Sequence, residues 1–386
     1  MSATAEGIRI EAWGSRPGRL GLGRFDLQLT LYALALVACG LLMAFSNSYY
    51  DSSSPTELGS LFTRGVLWLL LASIAFVLAT SFNYTWIRTF GWPLYLGGLA
   101  LLGLSLFAGT GSGGVARWVT IPVIGLQFQF SELAKILVIV GLARFLALRE
   151  ERLDSPLTLI GAAALVAPPL VLVALQPDLG TALVFGAIFI GMLFMSGLRL
   201  RWIALVVGAV LAALPVGWTF LRDYQQARLQ SFIDPSADPL GSGWQVLQSQ
   251  IAVGAGGLFG RGLTNGTQNA LGFLPAQPTD FAAAIWAEEF GFVGSILVLG
   301  LFTLLLWRIL LSGWRSPDRF GLLVAAGLAS MILFQLLVNM GMVIGIMPIT
   351  GIPLPFVSYG GASLISIALG LGILQSVNVR REKARW

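Results

Sequence analysis

The sequence contains no histidine. That absence removes histidine metal sites, histidine general bases and Ser-His-Asp triads together, so any acid–base chemistry must fall to Asp, Glu, Lys or Tyr. Cysteine is almost absent too: Cys39 stands alone in an apolar run, forms no internal disulfide and says nothing of redox compartment. Charge is scarce. Only 11% of the 386 residues are charged and 56% are hydrophobic, whereas a soluble domain carries about 25% charged residues. With a mean hydropathy of +0.83, the chain belongs in a bilayer. The net charge of +5 is too small and too scattered to argue for a nucleic-acid partner. No GxxxxGK phosphate loop and no clean dinucleotide fingerprint is present. The N-terminal stretch, with Arg9, Arg16, Arg19 and Arg24, lacks a short apolar core ending in a cleavage site. It reads as a retained cytoplasmic tail over 1–26 rather than a signal peptide.

What is present is a series of apolar runs. A helix needs about 20 residues to cross a hydrocarbon core of ~30 Å. Ten runs of about that length occur, near 27–46, 61–80, 88–108, 131–148, 157–175, 179–197, 202–221, 290–311, 319–343 and 361–379. The expected fold is an all-α polytopic membrane protein, one membrane domain over 27–379 with a short cytoplasmic tail at 380–386. Arginines crowd alternate connections (Arg88, Arg149, Arg152, Arg199, Arg201, Arg308, Arg315, Arg319, Arg380) and are sparse in the others. By the positive-inside rule both termini are cytoplasmic. The long outer connection, 222–289, contains aromatics and closely spaced glycines. It reads as a folded cap in which Ser249–Leu258 forms a short re-entrant or interfacial helix and the glycines serve close backbone packing.

Within that cap, Leu271–Gly291 gathers Asp280, Glu288 and Glu289 in a chain otherwise poor in charge. Pro275 and Pro278 hold the approach extended. A helix start is expected from Thr279, which leaves Asp280 readable as a helix cap or as a reactive carboxylate where a loop meets the membrane.

Charges inside the apolar runs are the other candidates. Glu132 and Lys135, three residues apart, share a helix face. A lone charge at the bilayer centre costs ~2.5–3.5 kcal/mol on insertion scales, so such residues pair or line a wet cavity. A mutual ion pair and a ligand contact both fit. Arg117 precedes that run beside Trp118 in a glycine-rich connection, and Asp178 follows Pro177 where it could cap the next helix. Arg64 opens the second run. Near the C-terminus Ser358, Gly360 and Gly361 follow a proline-broken stretch, where free amides at a helix start could hold an anion such as pyrophosphate, or small residues could simply pack helices.

Several motifs together resemble the SEDS family (shape, elongation, division and sporulation). They are Arg117-Trp118, Ser131–Lys135, Gln176–Thr181, Tyr224-Gln225 with Arg228, Gln268–Pro275, Thr279–Phe281, Ala287–Gly291 and Gly351–Gly361, in the family's order and spanning about 25–380. Gly266–Gln268 and Met347–Pro355 are similar to its elongation branch rather than its division branch. The sequence departs from the pattern at Phe130, where proline is usual, at Pro278, where histidine is usual, and at Ala362, where serine is usual.

The resemblance implies a glycosyltransferase that polymerises the lipid-linked disaccharide-pentapeptide, lipid II, at the outer face of the bacterial plasma membrane. Its expected partners are lipid II, the growing glycan strand, a class B penicillin-binding protein and other membrane proteins of the elongation complex. Asp280 is implied as general base. Arg64, Arg117, Lys135, Ser358, Gly360 and Gly361 are candidates to bind the substrate and its leaving pyrophosphate. Glu132, Asp178, Thr279, Glu288 and Gln268 are placed in support. A divalent cation, Mg2+ or Mn2+, could share the pyrophosphate charge. Two rival readings stand beside this one: a lipid II flippase with the Glu132–Lys135 pair along its path, and a non-catalytic scaffold for the penicillin-binding protein.

Overall fold

The computed structural model describes residues 24–50, 57, 60–108, 118–121, 126–234, 241–274 and 279–380. Arg117, the glycines of 109–114 and the two prolines at 275 and 278 lie outside the described residues.

In chain order the helices are α1 (Leu27–Tyr50), α2 (Leu61–Ser81), α3 (Tyr84–Thr89), α4 (Gly91–Ala108) and α5 (Phe130–Leu148), then α6 (Pro156–Leu175), α7 (Leu179–Met195), α8 (Leu200–Trp218) and α9 (Asp223–Ile233). They continue with α10 (Ser242–Gly256), α11 (Thr267–Ala270), α12 (Ala282–Trp314), α13 (Arg319–Val343) and α14 (Gly361–Val379). Each of the ten expected runs is helical. Seven of these helices are long and apolar enough to cross a membrane by length and composition: α1, α2, α6, α8, α12, α13 and α14. The α4 and α7 apolar segments are shorter, and α5 carries Glu132, Lys135 and Arg144. One small departure from an all-helical chain is a hairpin ahead of α5, with β1 (Val119–Ile121) antiparallel to β2 (Leu126–Phe128) and Val119 opposite Phe128.

The core lies along α5, α13 and α14, which bury side chains over most of their length, whereas α8 buries only Ile203. Two opposite ends result. One gathers the starts of α2, α5, α7, α12 and α14 under the cap helices α9–α11. The other gathers the opposite ends of the same helices and is rich in arginine.

Two boundaries in the cap differ from the sequence reading. The helix expected at Ser249–Leu258 runs from Ser242 to Gly256. It docks on α13, the Ser249 hydroxyl donating to the Val343 carbonyl at 2.6 Å and Gln250 Nε2 to the Ile344 carbonyl at 3.4 Å, carbonyls that a helix end leaves without internal partners. The run expected from 290 begins instead at Ala282 and breaks at Gly291, whose φ is +67° and ψ −162°. Backbone bonds to the glycine-rich segment span the break: Arg261 N donates to the Glu288 carbonyl, Gly262 N to that of Glu289, Phe292 N to that of Gly257 and Val293 N to that of Leu258, all at 2.9–3.0 Å. A Cβ at Gly260 would stand 2.1 Å from the Glu289 oxygen, and one at Gly291 2.3 Å from Gly260 N. Only glycine permits this backbone approach, which is the use expected for these residues.

Candidate active site

The starts of α5 and α7, α13 and the loop at 351–353 line a cavity of about 80 Å³, with Trp118, Gln129, Glu132, Lys135, Asp178, Gln335 and Gly351 in its wall. Lys135 Nζ donates to Glu132 Oε1 at 2.7 Å, and the two side chains are 2% and 6% exposed. A carboxylate in the first turn of α5 is favoured by the helix dipole, and its pairing lets an ammonium sit where an isolated charge could not. Asp178 caps α7. Its Oδ1 accepts from Thr181 N at 3.1 Å, and its Oδ2 accepts from Thr181 Oγ1 at 3.0 Å and Gln129 Nε2 at 3.2 Å. The turn ahead of it is held by α9, where the Tyr224 hydroxyl donates to the Pro177 carbonyl at 2.8 Å.

Asp280 reaches this place from the cap. Asn339, fully buried on α13, donates through Nδ2 to the Asp280 carbonyl at 3.0 Å and to the Ile352 carbonyl at 2.8 Å. One side chain therefore fixes both the approach to α12 at Asp280 and the loop that carries Gly351. That loop lies on the start of α7 because residue 180 is glycine: a Cβ there would stand 2.7 Å from the Thr350 oxygen. Gly351 itself has φ +72°, and the position its Cβ would take is 3.6 Å from Asp280 Oδ2 and 3.7 Å from Arg228 Nη1. A half-buried carboxylate and a half-buried guanidinium thus both lie close to Gly351, a residue of the Lys135 cavity lining. The helix begins later than expected. Its cap position is Phe281, which makes no side-chain cap bond, so Asp280 lies ahead of the cap rather than in it.

The other expected residues fall elsewhere. Glu288 is fully buried and faces α11. Its Oε1 accepts from Thr267 N at 2.7 Å and Thr267 Oγ1 at 2.8 Å, its Oε2 accepts from Gln268 N at 3.2 Å, and Arg261 Nη1 lies 3.9 Å from Oε1. Glu289 accepts from the Ser46 hydroxyl on α1. These two carboxylates tie the cap to the bundle and do not line the cavity, and Gln268 belongs to the same tie. Gly360 and Gly361 collect around Trp68 of α2, and Ser358 stands in the turn before them. Ser358 Oγ accepts from Leu354 N at 2.9 Å, and a Cβ at Gly361 would overlap the Trp68 ring. The exposed Arg64 acts on Tyr359 in this cluster. Burial pushes the Tyr359 phenol above its ordinary range, while a hydrogen bond from Trp68 and the Arg64 charge pull it back. Small-residue packing accounts for Gly361, whose would-be anion site the indole covers. Thr279 is half-buried beside Asp280.

The family described as cell cycle protein, which groups FtsW, RodA and SpoVE, matches residues 27–383. The chain belongs to the SEDS family. The peptidoglycan glycosyltransferase MrdB of Escherichia coli K12 is 42% identical over 296 residues, 76% of this chain and 79% of that protein. A solved chain from a peptidoglycan synthase complex, described as coordinating polymerization and crosslinking, superposes with a TM-score of 0.77 at 34% identity, covering 93% of this chain and 99% of its own. The rod shape-determining protein RodA of Thermus thermophilus gives a TM-score of 0.68 at 31% identity over 93% of this chain and 98% of its own. The MrdB and RodA matches agree with the elongation-branch motifs of this SEDS chain.

Among the described residues no group of three Asp, Glu or Cys side chains converges as metal ligands do. Asp178 already accepts at both oxygens and Glu132 holds Lys135. The described residues thus offer no ready-made protein cage for Mg2+ or Mn2+.

Three residues escape sequence reasoning: Arg228, visible only as part of a motif, Asn339 and Gln335. The last is 1% exposed and lines the cavity from α13, with neither amide atom hydrogen-bonded within the protein. Leaving a buried polar group unsatisfied costs about 1–3 kcal/mol, which a cavity built to receive polar groups returns when they bind.

Proposed function

We propose that this peptidoglycan glycosyltransferase polymerises lipid II during cell elongation, with Asp280 as general base. The observation that carries the reading is that the Asp280 carboxylate and Arg228 both approach Gly351, which lines the cavity holding the Lys135–Glu132 pair. Asp280 takes the proton from the acceptor sugar hydroxyl as that oxygen bonds to the donor's anomeric carbon. The bond from that carbon to the pyrophosphate breaks, and undecaprenyl pyrophosphate leaves from the opposite face, so an α-linked donor becomes a β-linked glycan. Positioned cationic donors stabilise the charge that develops on the leaving group. Lys135 and Arg228 supply it here, Glu132 positions Lys135, and Gln335 offers its amide to the same oxyanions. Arg117 is a further candidate cation, whereas Arg64 acts on Tyr359 near Trp68, apart from this cavity.

The arginine-rich end lies in the cytoplasm with both termini, which puts the cavity and cap at the outer face of the bacterial plasma membrane. A class B penicillin-binding protein is the cross-linking partner, a reading supported by the similarity to a chain of a peptidoglycan synthase complex. The test is polymerisation of purified lipid II, with and without that partner, by the wild type and by Asp280→Ala and Asp280→Asn. Positioned base catalysis is worth about 10²–10⁴-fold, and the variants are expected to lose that much. Glycan strands made at the normal rate by either variant remove Asp280 as base; lipid II crossing vesicles without polymer forming would favour a carrier.

A further inference from the structure

A cavity of about 170 Å³ lies at the other end of the bundle, away from the residues of the Lys135 cavity. Arg24, Asp26, Arg308, Ser312, Arg315 and Asn378 line it. Arginines at this end have a ready explanation in topology and in the dipole at the C-terminus of α12. What topology does not explain is their arrangement.

Asp26 is the single carboxylate in the lining, and its oxygens are already engaged. Oδ1 accepts from Leu29 N at 3.0 Å as the cap of α1, and Oδ2 accepts from Arg308 Nη2 at 2.7 Å and from the Ser312 hydroxyl at 3.4 Å. Arg308 Nε is buried and has no hydrogen-bond partner. Among the described residues Arg24 and Arg315 make no ion pair. Among the described residues the lining therefore carries two positive charges beyond what Asp26 balances, and an Arg308 donor that no described group satisfies. Guanidinium forks match the geometry of phosphate oxygens, and the cavity holds a tetrahedral oxyanion with room for water. On α12 beside these arginines, Trp307 and Trp314 are 65% and 79% exposed, the placement tryptophan takes at a membrane–water interface.

We propose that this cavity binds a phosphate, and that its source is the headgroup of an anionic phospholipid. The excess charge selects an acidic headgroup over a zwitterionic one, and the tryptophans set the site at the depth where lipid phosphates lie. The site is separate from the polymerising chemistry and holds whether or not Asp280 is the base.

Native mass spectrometry on the purified full chain in neutral detergent reads this directly, comparing phosphatidylglycerol with phosphatidylcholine of the same acyl chains. The wild type is expected to retain phosphatidylglycerol at least about tenfold more strongly. Removing each interfacial arginine is worth about fivefold, so Arg24→Ala with Arg315→Ala should weaken phosphatidylglycerol binding roughly 30-fold and leave phosphatidylcholine unchanged. Elution volume and melting temperature establish that the variant is folded, and each single variant serves if the double one is not. Equal retention of the two lipids by the wild type overturns the proposal, as does unchanged preference in folded variants. Millimolar inorganic phosphate is expected to leave the lipid bound; displacement by it would assign the site to a free anion and overturn the lipid source.

Discussion

At the arginine-rich end, Arg88 pairs with Asp318, Arg199 with Asp154 and Arg319 with Glu150 at 2.7–2.9 Å, and every one of these side chains is at least 22% exposed. At the other end Lys135 and Glu132 pair at 2.7 Å with 2% and 6% exposure, beside a glutamine that has no partner. The distances are the same and the physics differs. Water screens the first set, so each pair contributes little. The second set has given up its hydration, and its worth depends on every member being matched. Proteins tolerate unmatched buried polarity where a ligand completes it. The comparison marks the Lys135 cavity as a place where a polar ligand would complete the lining, as the unmatched Arg308 Nε does on a smaller scale at the arginine-rich end.

The sharpest way to break the comparison is to unpair the buried ions. Lys135→Ala strands the Glu132 carboxylate and is expected to cost about 3–5 kcal/mol, read as a fall in melting temperature in detergent. Replacing the pair together, Glu132→Leu with Lys135→Met, should restore most of that stability while polymerisation of lipid II stays lost. A double variant that melts normally and also polymerises at the wild-type rate would reduce the pair to packing.

A smaller effect is expected at Asn339, which touches none of the charges. Asn339→Ala removes the donor to the Asp280 and Ile352 carbonyls, and stranding buried acceptors costs about 1–3 kcal/mol. Because that bond positions Asp280 rather than binding substrate, kcat should fall while KM changes little. An unchanged kcat would show that Asp280 is held by other contacts.

The residues themselves explain why the sequence discloses some of this and hides the rest. The apolar runs are legible because a bilayer core demands long hydrophobic helices, a length seven of them reach, and Asp280, Glu132, Lys135 and Asp178 stand out as charges in apolar surroundings. Glu288 stands out in the same way and belongs to the tie between cap and bundle, because the partner that claims a carboxylate is a tertiary fact. Gln335 and Asn339 are single amides in the apolar run of α13, with no local pattern to mark them. Their importance comes from which helices face α13. The grouping is equally hidden: Arg64 and Tyr359–Gly361 gather near Trp68, apart from Lys135, since the order of helices around the bundle has no trace in linear spacing. The break at Gly291 was half visible, as a glycine cluster with a use but without an address.

The smallest expected effect tests the other side of the comparison. Arg199 and Asp154 are 60% and 44% exposed and lie 2.7 Å apart, a geometry as good as that of the buried pair. If burial rather than distance sets the worth of an ion pair, Arg199→Ala should change stability by only about 0–1 kcal/mol, and less as salt is raised. Polymerisation should be unaffected, because no residue of the pair reaches the cavity. The measurement is a melting curve at low and high ionic strength beside that of Lys135→Ala. A loss as large as that of the buried variant would mean that charge at the arginine-rich end also holds the bundle together, and the two ends would then differ in exposure but not in function.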